Sequence, residues 1–323
     1  MLPASISKVP AAPALRLCGT LLLSLTALGP AGCRAPSPQT DKSLQPDSRP
    51  LVLASFTVLA DMGRAVACGR LRVDSITRPG AEVHGYEMTP GDLRRASGTR
   101  LLLENGLGLD RWTRRFTDRL GAVPRVTASE GVSTLAIGAG VANPHAWMAP
   151  RAALVYVENL RRAFSRLDPA GAATFRYCAD AYAAELRSLD GDLRQRLAAL
   201  PAEKRLLVTC EGAFSYLARD YGLQEAWLWP VNGEREVTPR RMGHLIETVR
   251  RRRVPAVFCE STVDARIQRR VAAESGARFG GNFHVDSLSP PGGGAATYLE
   301  LMRHNADLLV NGLAPRRAAG PAP

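Results

Sequence analysis

The sequence predicts an α/β protein of two parallel-sheet lobes, each covered by helices on both faces and joined by one long rigid linker helix. Three observations predict this. Short apolar runs alternate with amphipathic stretches from Leu51 to Val126, the pattern of parallel strands linked by crossover helices. The same alternation returns from Arg205 to His284. Between them, Asp168 to Leu200 carries apolar side chains at three- and four-residue spacings and no strand signal.

In the first half, strands are expected over Leu51 to Phe56, Leu71 to Ile76, Arg100 to Glu104 and Val123 to Val126, with helices over Val58 to Val66 and Leu109 to Leu120. Thr89-Pro90-Gly91-Asp92 starts a further short helix, with Thr89 as cap, proline in the first turn and an acid in the capping-box place. Asp168-Pro169 opens the central helix, in which Phe175, Tyr177, Cys178, Ala181, Tyr182, Leu186, Leu189, Leu193, Leu197 and Leu200 recur and only Gly171 and Gly191 interrupt. As one helix it would be on the order of 45 Å long, more than the width of a lobe. The second half is expected to hold strands over Arg205 to Cys210, Ala226 to Trp229, Val254 to Cys259 and Arg278 to His284. Its helices fall over Ala213 to Tyr221, Pro239 to Arg252, Asp264 to Ser275 and Ala296 to Gly312. The lobes are thus residues 51–167 and 201–313, with the linker over 168–200 and a disordered tail over 314–323.

The N-terminus says where such a protein works. Lys8 and Arg16 precede an apolar run from Leu17 to Leu28, and no acidic residue occurs before Asp41. This is the form of a secretory signal peptide, here residues 1–32. The run is too short to span a bilayer core of roughly 30 Å. Ala31-Gly32-Cys33 is similar to a bacterial lipoprotein cleavage site, in which Cys33 would be lipidated, although Pro30 stands where Leu is usual. Residues 33–50, rich in Pro, Ser, Gln and Asp, have the composition of a flexible tether. An exported, membrane-anchored protein, periplasmic or at the cell surface, is the expectation.

At 46% hydrophobic and 22% charged residues the composition is that of an ordinary globular protein. The net charge of +12 falls to +10 once Lys8 and Arg16 leave. The arginines are scattered along helical stretches rather than gathered with stacking aromatics on one face, which argues against nucleic-acid binding. The densest run, Arg250 to Arg253, ends a helix, where cations complement the dipole. Of the cysteines beyond the signal, none shows a CxxC spacing or a neighbouring His. Cys210 and Cys259 each end a strand and precede a Glu; a disulfide between them is open in an exported protein, and two buried thiols are the simpler expectation.

Four metal-capable side chains stand in chemically loaded segments: His84 in Gly80-Ala81-Glu82-Val83-His84-Gly85-Tyr86-Glu87, His145 in Asn143-Pro144-His145-Ala146-Trp147, Glu211 in Thr209-Cys210-Glu211-Gly212-Ala213-Phe214, and Asp286 in His284-Val285-Asp286-Ser287-Leu288. They are 61, 66 and 75 residues apart, too far for a local metal finger. Glu211 and Asp286 follow strands, where open parallel sheets bind ligands, and His84 and His145 lie in Gly- and Pro-bearing loops. Each lobe would contribute two residues to a cleft between them. Alone, Glu211 could cap the helix that follows, and Asp286 could open a turn. His284 shares the strand face of Asp286 and is the one candidate extra ligand, while His244 and His304 belong to helices. Glu260 is placed to orient an imidazole N–H from behind the site.

These segments, together with Asn105-Gly106-Leu107-Gly108-Leu109, Val257-Phe258-Cys259-Glu260-Ser261-Thr262 and Val285-Asp286-Ser287-Leu288-Ser289, resemble in their order the metal-specific solute-binding lipoproteins of bacterial ABC importers, from about Leu51 to Leu313. The resemblance implies two α/β lobes bridged by a rigid helix, with His84, His145, Glu211 and Asp286 binding a divalent metal between them. It also implies an ABC permease with its ATPase subunit as partners, a lipid anchor at Cys33, a monomer, and no enzymatic activity. Zinc-importing relatives usually have a third His where this chain has Glu211, and a His-rich acidic loop where Met88 to Gly98 here has no His, so the resemblance is to the manganese and iron branch. Two imidazoles and two carboxylates allow the five or six coordination that Mn²⁺ and Fe²⁺ accept. Zn²⁺ remains an alternative cargo because it binds more tightly than Mn²⁺ at a given site. The rival classes are a metal-dependent hydrolase, for which no HExxH, GxSxG or P-loop is present, and a surface adhesin. Binding is expected to weaken in mild acid as the imidazoles protonate.

Overall fold

The computed structural model describes residues 47–114, 121–138, 140–231 and 237–314. The signal peptide, Cys33, most of the tether and all but the first residue of the tail lie outside the described residues.

The N-terminal lobe is built on a parallel sheet of β1 (Leu51–Ala54), β2 (Arg72–Ser75), β3 (Thr99–Glu104) and β4 (Arg125–Thr127), in the order β2-β1-β3-β4. β1 is buried at all four positions, as a central strand covered on both faces must be. Its side chains alternate: Val52 and Ala54 face one apolar cluster, while Leu53 joins Ile76, Ala96 and Leu102 in another. Helix α1 (Thr57–Ala67) follows β1 and ends at Cys68, which takes a left-handed conformation at φ 51°. The short helix α2 (Pro90–Arg95) carries the capping box of Thr89 and Asp92. A small antiparallel ladder of β5 (Ala136–Ile137) and β6 (Val141–Ala142) precedes α3 (Pro150–Leu167). This helix starts with Pro150 in its first turn, and Ala149 before it offers no capping side chain.

The central helix α4 spans Ala172–Ala198, 27 residues and about 40 Å, after a single 3₁₀ turn at Pro169–Gly171 capped by Asp168. Its buried stripe runs from Phe175 to Leu197 as read from the sequence, except that Tyr177 and Ala181 turn out to solvent. The C-terminal lobe pairs β7 (Leu206–Glu211) with β8 (Gln224–Trp229) and β9 (Ala256–Glu260) with β10 (Arg278–Phe283), all parallel. The helices α5 (Ser215–Tyr221), α6 (Pro239–Arg251), α7 (Arg266–Ser275) and α8 (Tyr298–Leu313) complete it. The faces again alternate: Leu207, Ala256 and Phe258 look toward the shared core, and Leu206, Val208, Cys210, Val257 and Cys259 toward the outer helices.

The shared core decides how the lobes relate. Phe56, Trp147 and Tyr156 of the N-terminal lobe pack in one apolar cluster with Phe214, Phe283 and Tyr298 of the C-terminal lobe, all fully or nearly fully buried. Separating the lobes would expose this surface at roughly 25 cal/mol per Å², so wide hinge opening is disfavoured.

Three expectations change. Cys210 and Cys259 are not two thiols but a disulfide, with Cα atoms 4.8 Å apart on the side-by-side strands β7 and β9. A second disulfide, Cys68–Cys178, spans 110 residues and ties the end of α1 to α4, a pairing with no local sequence signal. The helix expected over Leu109 to Leu120 falls partly outside the described residues, and its described portion is a turn and one 3₁₀ segment at Arg111–Thr113.

Candidate metal centre

Each of the four candidates is placed by its local chain. His84 stands in the loop from β2 to α2, where the Glu82 carboxylate accepts the N–H groups of His84 at 2.7 Å and Gly85 at 2.9 Å and so fixes the turn. That loop is pinned across to the other lobe, because Gly80 N–H donates to Ser287 Oγ at 2.7 Å. His145 precedes the 3₁₀ turn Ala146–Met148 that leads into α3. Trp147, next along, donates its indole N–H to Val285 O at 3.1 Å, and Tyr298 donates to Trp147 O at 2.5 Å. Glu211 is the last residue of β7, and its N–H donates to Glu260 Oε2 at 3.2 Å. Asp286 comes just beyond β10, where Leu288 N–H donates to Thr57 Oγ1 at 2.9 Å and secures the segment to the N-terminal lobe.

These four side chains converge. Their ligating atoms lie within 4.8 Å of one another. His84 Nε2 is 3.1 Å from His145 Nε2, 3.5 Å from Glu211 Oε1 and 3.7 Å from Asp286 Oδ1. His145 Nε2 is 3.8 Å from Glu211 Oε2 and 3.6 Å from Asp286 Oδ1. Around an ion with bonds of about 2.1 Å, adjacent ligands stand about 3.0 Å apart in an octahedron and about 3.4 Å in a tetrahedron. The observed separations, 3.1 to 3.8 Å, span the tetrahedral spacing and begin just above the octahedral one. Asp286 Oδ1 is buried and accepts no hydrogen bond, an orphaned anionic oxygen aimed at the two imidazoles.

The tautomer of His145 follows from its neighbour. Asn143 Nδ2 donates to Gly212 O at 2.8 Å and to Ser215 Oγ at 3.0 Å, so its Oδ1 is the acceptor facing His145. His145 Nδ1–H therefore donates to Asn143 Oδ1 at 2.9 Å, leaving a bare lone pair on Nε2 directed into the cluster. Burial drives the charges of the metal-free site toward neutrality: it pushes His145 down to about 3, lowers His84 against the pull of Asp286, and raises Asp286. Two neutral imidazoles and two carboxylates thus make an acceptor-lined pocket suited to a cation.

Gly212, after Glu211, has no room for a side chain: a Cβ there would fall 2.3 Å from Ile137 Cδ1 and 2.9 Å from Pro230 O. The close approach lets Gly212 O meet Asn143, so the glycine serves the link between His145 and the C-terminal lobe. A cavity of about 440 Å³, lined by His84, Gly108, Arg111, Ile137, Pro144 and Pro230 among others, opens onto the cluster from solvent.

The capping role does not hold for Glu211, since Phe214 occupies the cap position of α5; Asp286 lies in the bend after β10. His284 is not part of the quartet; its ring lies against Ser261 Oγ at 3.2 Å and packs edge-on to His304. His244 is exposed on α6. Glu260 orients no imidazole; its carboxyl, raised well above the usual range by burial, accepts the Glu211 N–H instead. Sequence reasoning missed the orienting role of Asn143, although its position two residues before His145 was the available signal.

The family described as zinc-uptake complex component A, periplasmic, matches residues 52–312. The chain is 43% identical over 265 residues to the iron-binding protein YfeA of Yersinia pestis, covering 81% of this chain and 85% of that one. It is 31% identical to the manganese-binding lipoprotein MntA of Halalkalibacterium halodurans, over 92% and 99% of the two chains. Among solved structures, the Mn-bound periplasmic metal-binding protein of Candidatus Liberibacter asiaticus superposes with a TM-score of 0.77 at 33% identity, covering 82% of this chain and all of that one. Two lobes with parallel sheets, a convergent His and carboxylate cluster and these likenesses agree, and the chain belongs to the family of periplasmic metal-binding proteins that serve ABC importers as solute-binding components rather than as enzymes.

Proposed function

We propose that the chain captures Mn²⁺ or Fe²⁺ outside the cytoplasmic membrane and hands it to an ABC permease driven by its ATPase, with His84, His145, Glu211 and Asp286 as the ligands. The observation that carries the reading is the orphaned Asp286 Oδ1 at 3.6–3.7 Å from two imidazole nitrogens, inside a cluster whose spacing fits one ion. Two carboxylates capable of binding through both oxygens favour five or six coordination, and the names of the iron- and manganese-binding relatives support the same cargo. Zn²⁺ is the second reading, favoured by the family description and by its higher intrinsic affinity. Competition among Mn²⁺, Fe²⁺ and Zn²⁺ on the purified protein, with metal analysis of protein from its own host, decides between them. Host protein carrying only Zn²⁺ would overturn the Mn or Fe assignment.

The same reading takes residues 51–167 and 201–313 as the lobes and 168–200 as the linker, with residues 1–32 removed on export. Cys33 then carries the lipid anchor at the head of a tether reaching to residue 50, consistent with the lipoprotein naming of the manganese-binding relative. The carrier acts as a monomer. Because the core joins the lobes, release on the permease would require small displacements of the His84 loop and the segment after Asp286 rather than wide opening.

Acid should weaken binding. Burial holds His145 neutral down to about pH 3, and it raises the Asp286 carboxyl, so a proton on Asp286 competes with the metal alongside protonation of the imidazoles. Affinity is therefore expected to fall as the pH is lowered, with protons released as the ion binds. Calorimetry in buffers of different ionisation enthalpy measures this, and a flat affinity with no proton release would sink it. Asn143→Ala should lower metal affinity roughly 10- to 100-fold by freeing the His145 ring, while the four ligands remain. An unchanged dissociation constant would show that the ring needs no such anchor.

A further inference from the structure

A second cavity of about 470 Å³ lies at the junction of the lobes, apart from the metal centre. Its N-terminal wall carries Arg64, Arg78 and Arg95 with the hydroxyls of Ser75 and Thr77; its C-terminal wall includes Ser289. No acidic residue lines it. Two of the three guanidinium groups are partly compensated: Arg95 pairs with Asp92 at 2.8 Å, and Arg64 stands 3.8 Å from Asp61. The Arg78 backbone C=O accepts the Ala81 N–H at 3.0 Å, while its guanidinium enters no hydrogen bond or ion pair among the described residues.

The hydroxyls point the same way. Thr77 is 2% exposed, and its Oγ1, like Ser75 Oγ, has no hydrogen-bond partner. A buried polar atom without a partner carries a desolvation cost, and such groups call for a ligand. Unspent guanidinium N–H donors, hydroxyls and the absence of any carboxylate on the wall define the chemistry of an oxyanion.

We propose that this cavity is a binding site for a small free oxyanion, a phosphate or a carboxylate, held by Arg78 with Arg64, Arg95 and the Thr77 hydroxyl. The cavity is lined from both lobes, and a ligand that binds only the folded protein there stabilises the folded state.

The experiment uses the metal-free protein, so that the result does not depend on the metal assignment. Its unfolding temperature is followed with inorganic phosphate, succinate or sodium chloride at matched ionic strength, with calorimetry for affinity. Phosphate or succinate should raise the midpoint by at least about 2 °C over chloride, and whichever acts assigns the anion class. In Arg78→Glu the rise should disappear, and in Thr77→Val, a near-isosteric change, it should shrink by more than half. Circular dichroism and Mn²⁺ binding of both variants confirm that the fold persists. No rise in the wild-type protein, or the same rise in Arg78→Glu, would overturn the proposal.

Discussion

His145→Ala should lose metal affinity by roughly 10³-fold, about 4 kcal/mol, with the fold intact. The side chain is fully buried and neutral, it supplies the Nε2 lone pair of fixed direction, and its partners in the cluster are anionic oxygens and one further imidazole. Water could take its coordination place but would lack the Asn143 contact that aims the imidazole. The consequence is visible in stability. A ligand that binds only the folded state at 10⁴ times its dissociation constant adds about 5.5 kcal/mol, so the wild-type protein should melt many degrees higher with Mn²⁺ than with chelator. The variant, then at about ten times its own dissociation constant, should keep only about 1.4 kcal/mol of this. Metal titration by calorimetry and paired thermal unfolding curves check both, and a full metal-dependent rise in His145→Ala would remove His145 from the ligand set.

The metal-free comparison has its own pH dependence. The unfolded imidazole binds a proton near 6.5, whereas buried His145 does so only at about 3. Between those values the unfolded state holds the extra proton, so this residue makes the metal-free protein less stable as pH falls from about 7 to 3. Asp110, raised to about 6 by burial, acts in the opposite direction, favouring the folded state at low pH and losing that contribution as pH rises through 4 to 6.

Removing either disulfide should cost about 4–5 kcal/mol by the loop-entropy argument, since the bridged residues are 110 and 49 apart. The two should differ in what else they change. Cys68 is exposed at the end of α1, so Cys68–Cys178 should yield first to a mild reductant, and its loss should leave metal affinity nearly unaltered. Cys210 and Cys259 are both fully buried and immediately precede Glu211 and Glu260, which share a hydrogen bond. The double variant Cys210→Ala/Cys259→Ala should therefore lose stability and also roughly tenfold in metal affinity through the loosened Glu211. Denaturant midpoints with and without reductant, and metal titration of each pair of variants, separate the cases. Equal metal affinity in both would show that the strand ends hold Glu211 without the bridge.

The elements legible in the sequence were those whose apolar period was strong. The stripe of α4 from Phe175 to Leu197 and the continuous runs of β7 and β9, buried at every position, stand out in the chain. Helix α3 was not read from the sequence: Ala149 supplies no side-chain cap, and Pro150 in the first turn is the one local mark of its start. The capping box at Thr89 and Asp92 was, because it is a contact between residues three apart.

The candidate site divides along the same line. Residue chemistry and local motif, read from the sequence alone, singled out His84, His145, Glu211 and Asp286, since each sits in a short segment whose neighbours shape it. Their mutual distances, the Asn143 contact that sets the His145 tautomer, the turn of Glu260 toward the Glu211 N–H and both disulfides came only with the tertiary structure. Those features join residues 2 to 202 positions apart along the chain. Local periodicity carries no information on such pairings, because they depend on how the two sheets and α4 set the ends of β7 and β10 against the loops after β2 and β6.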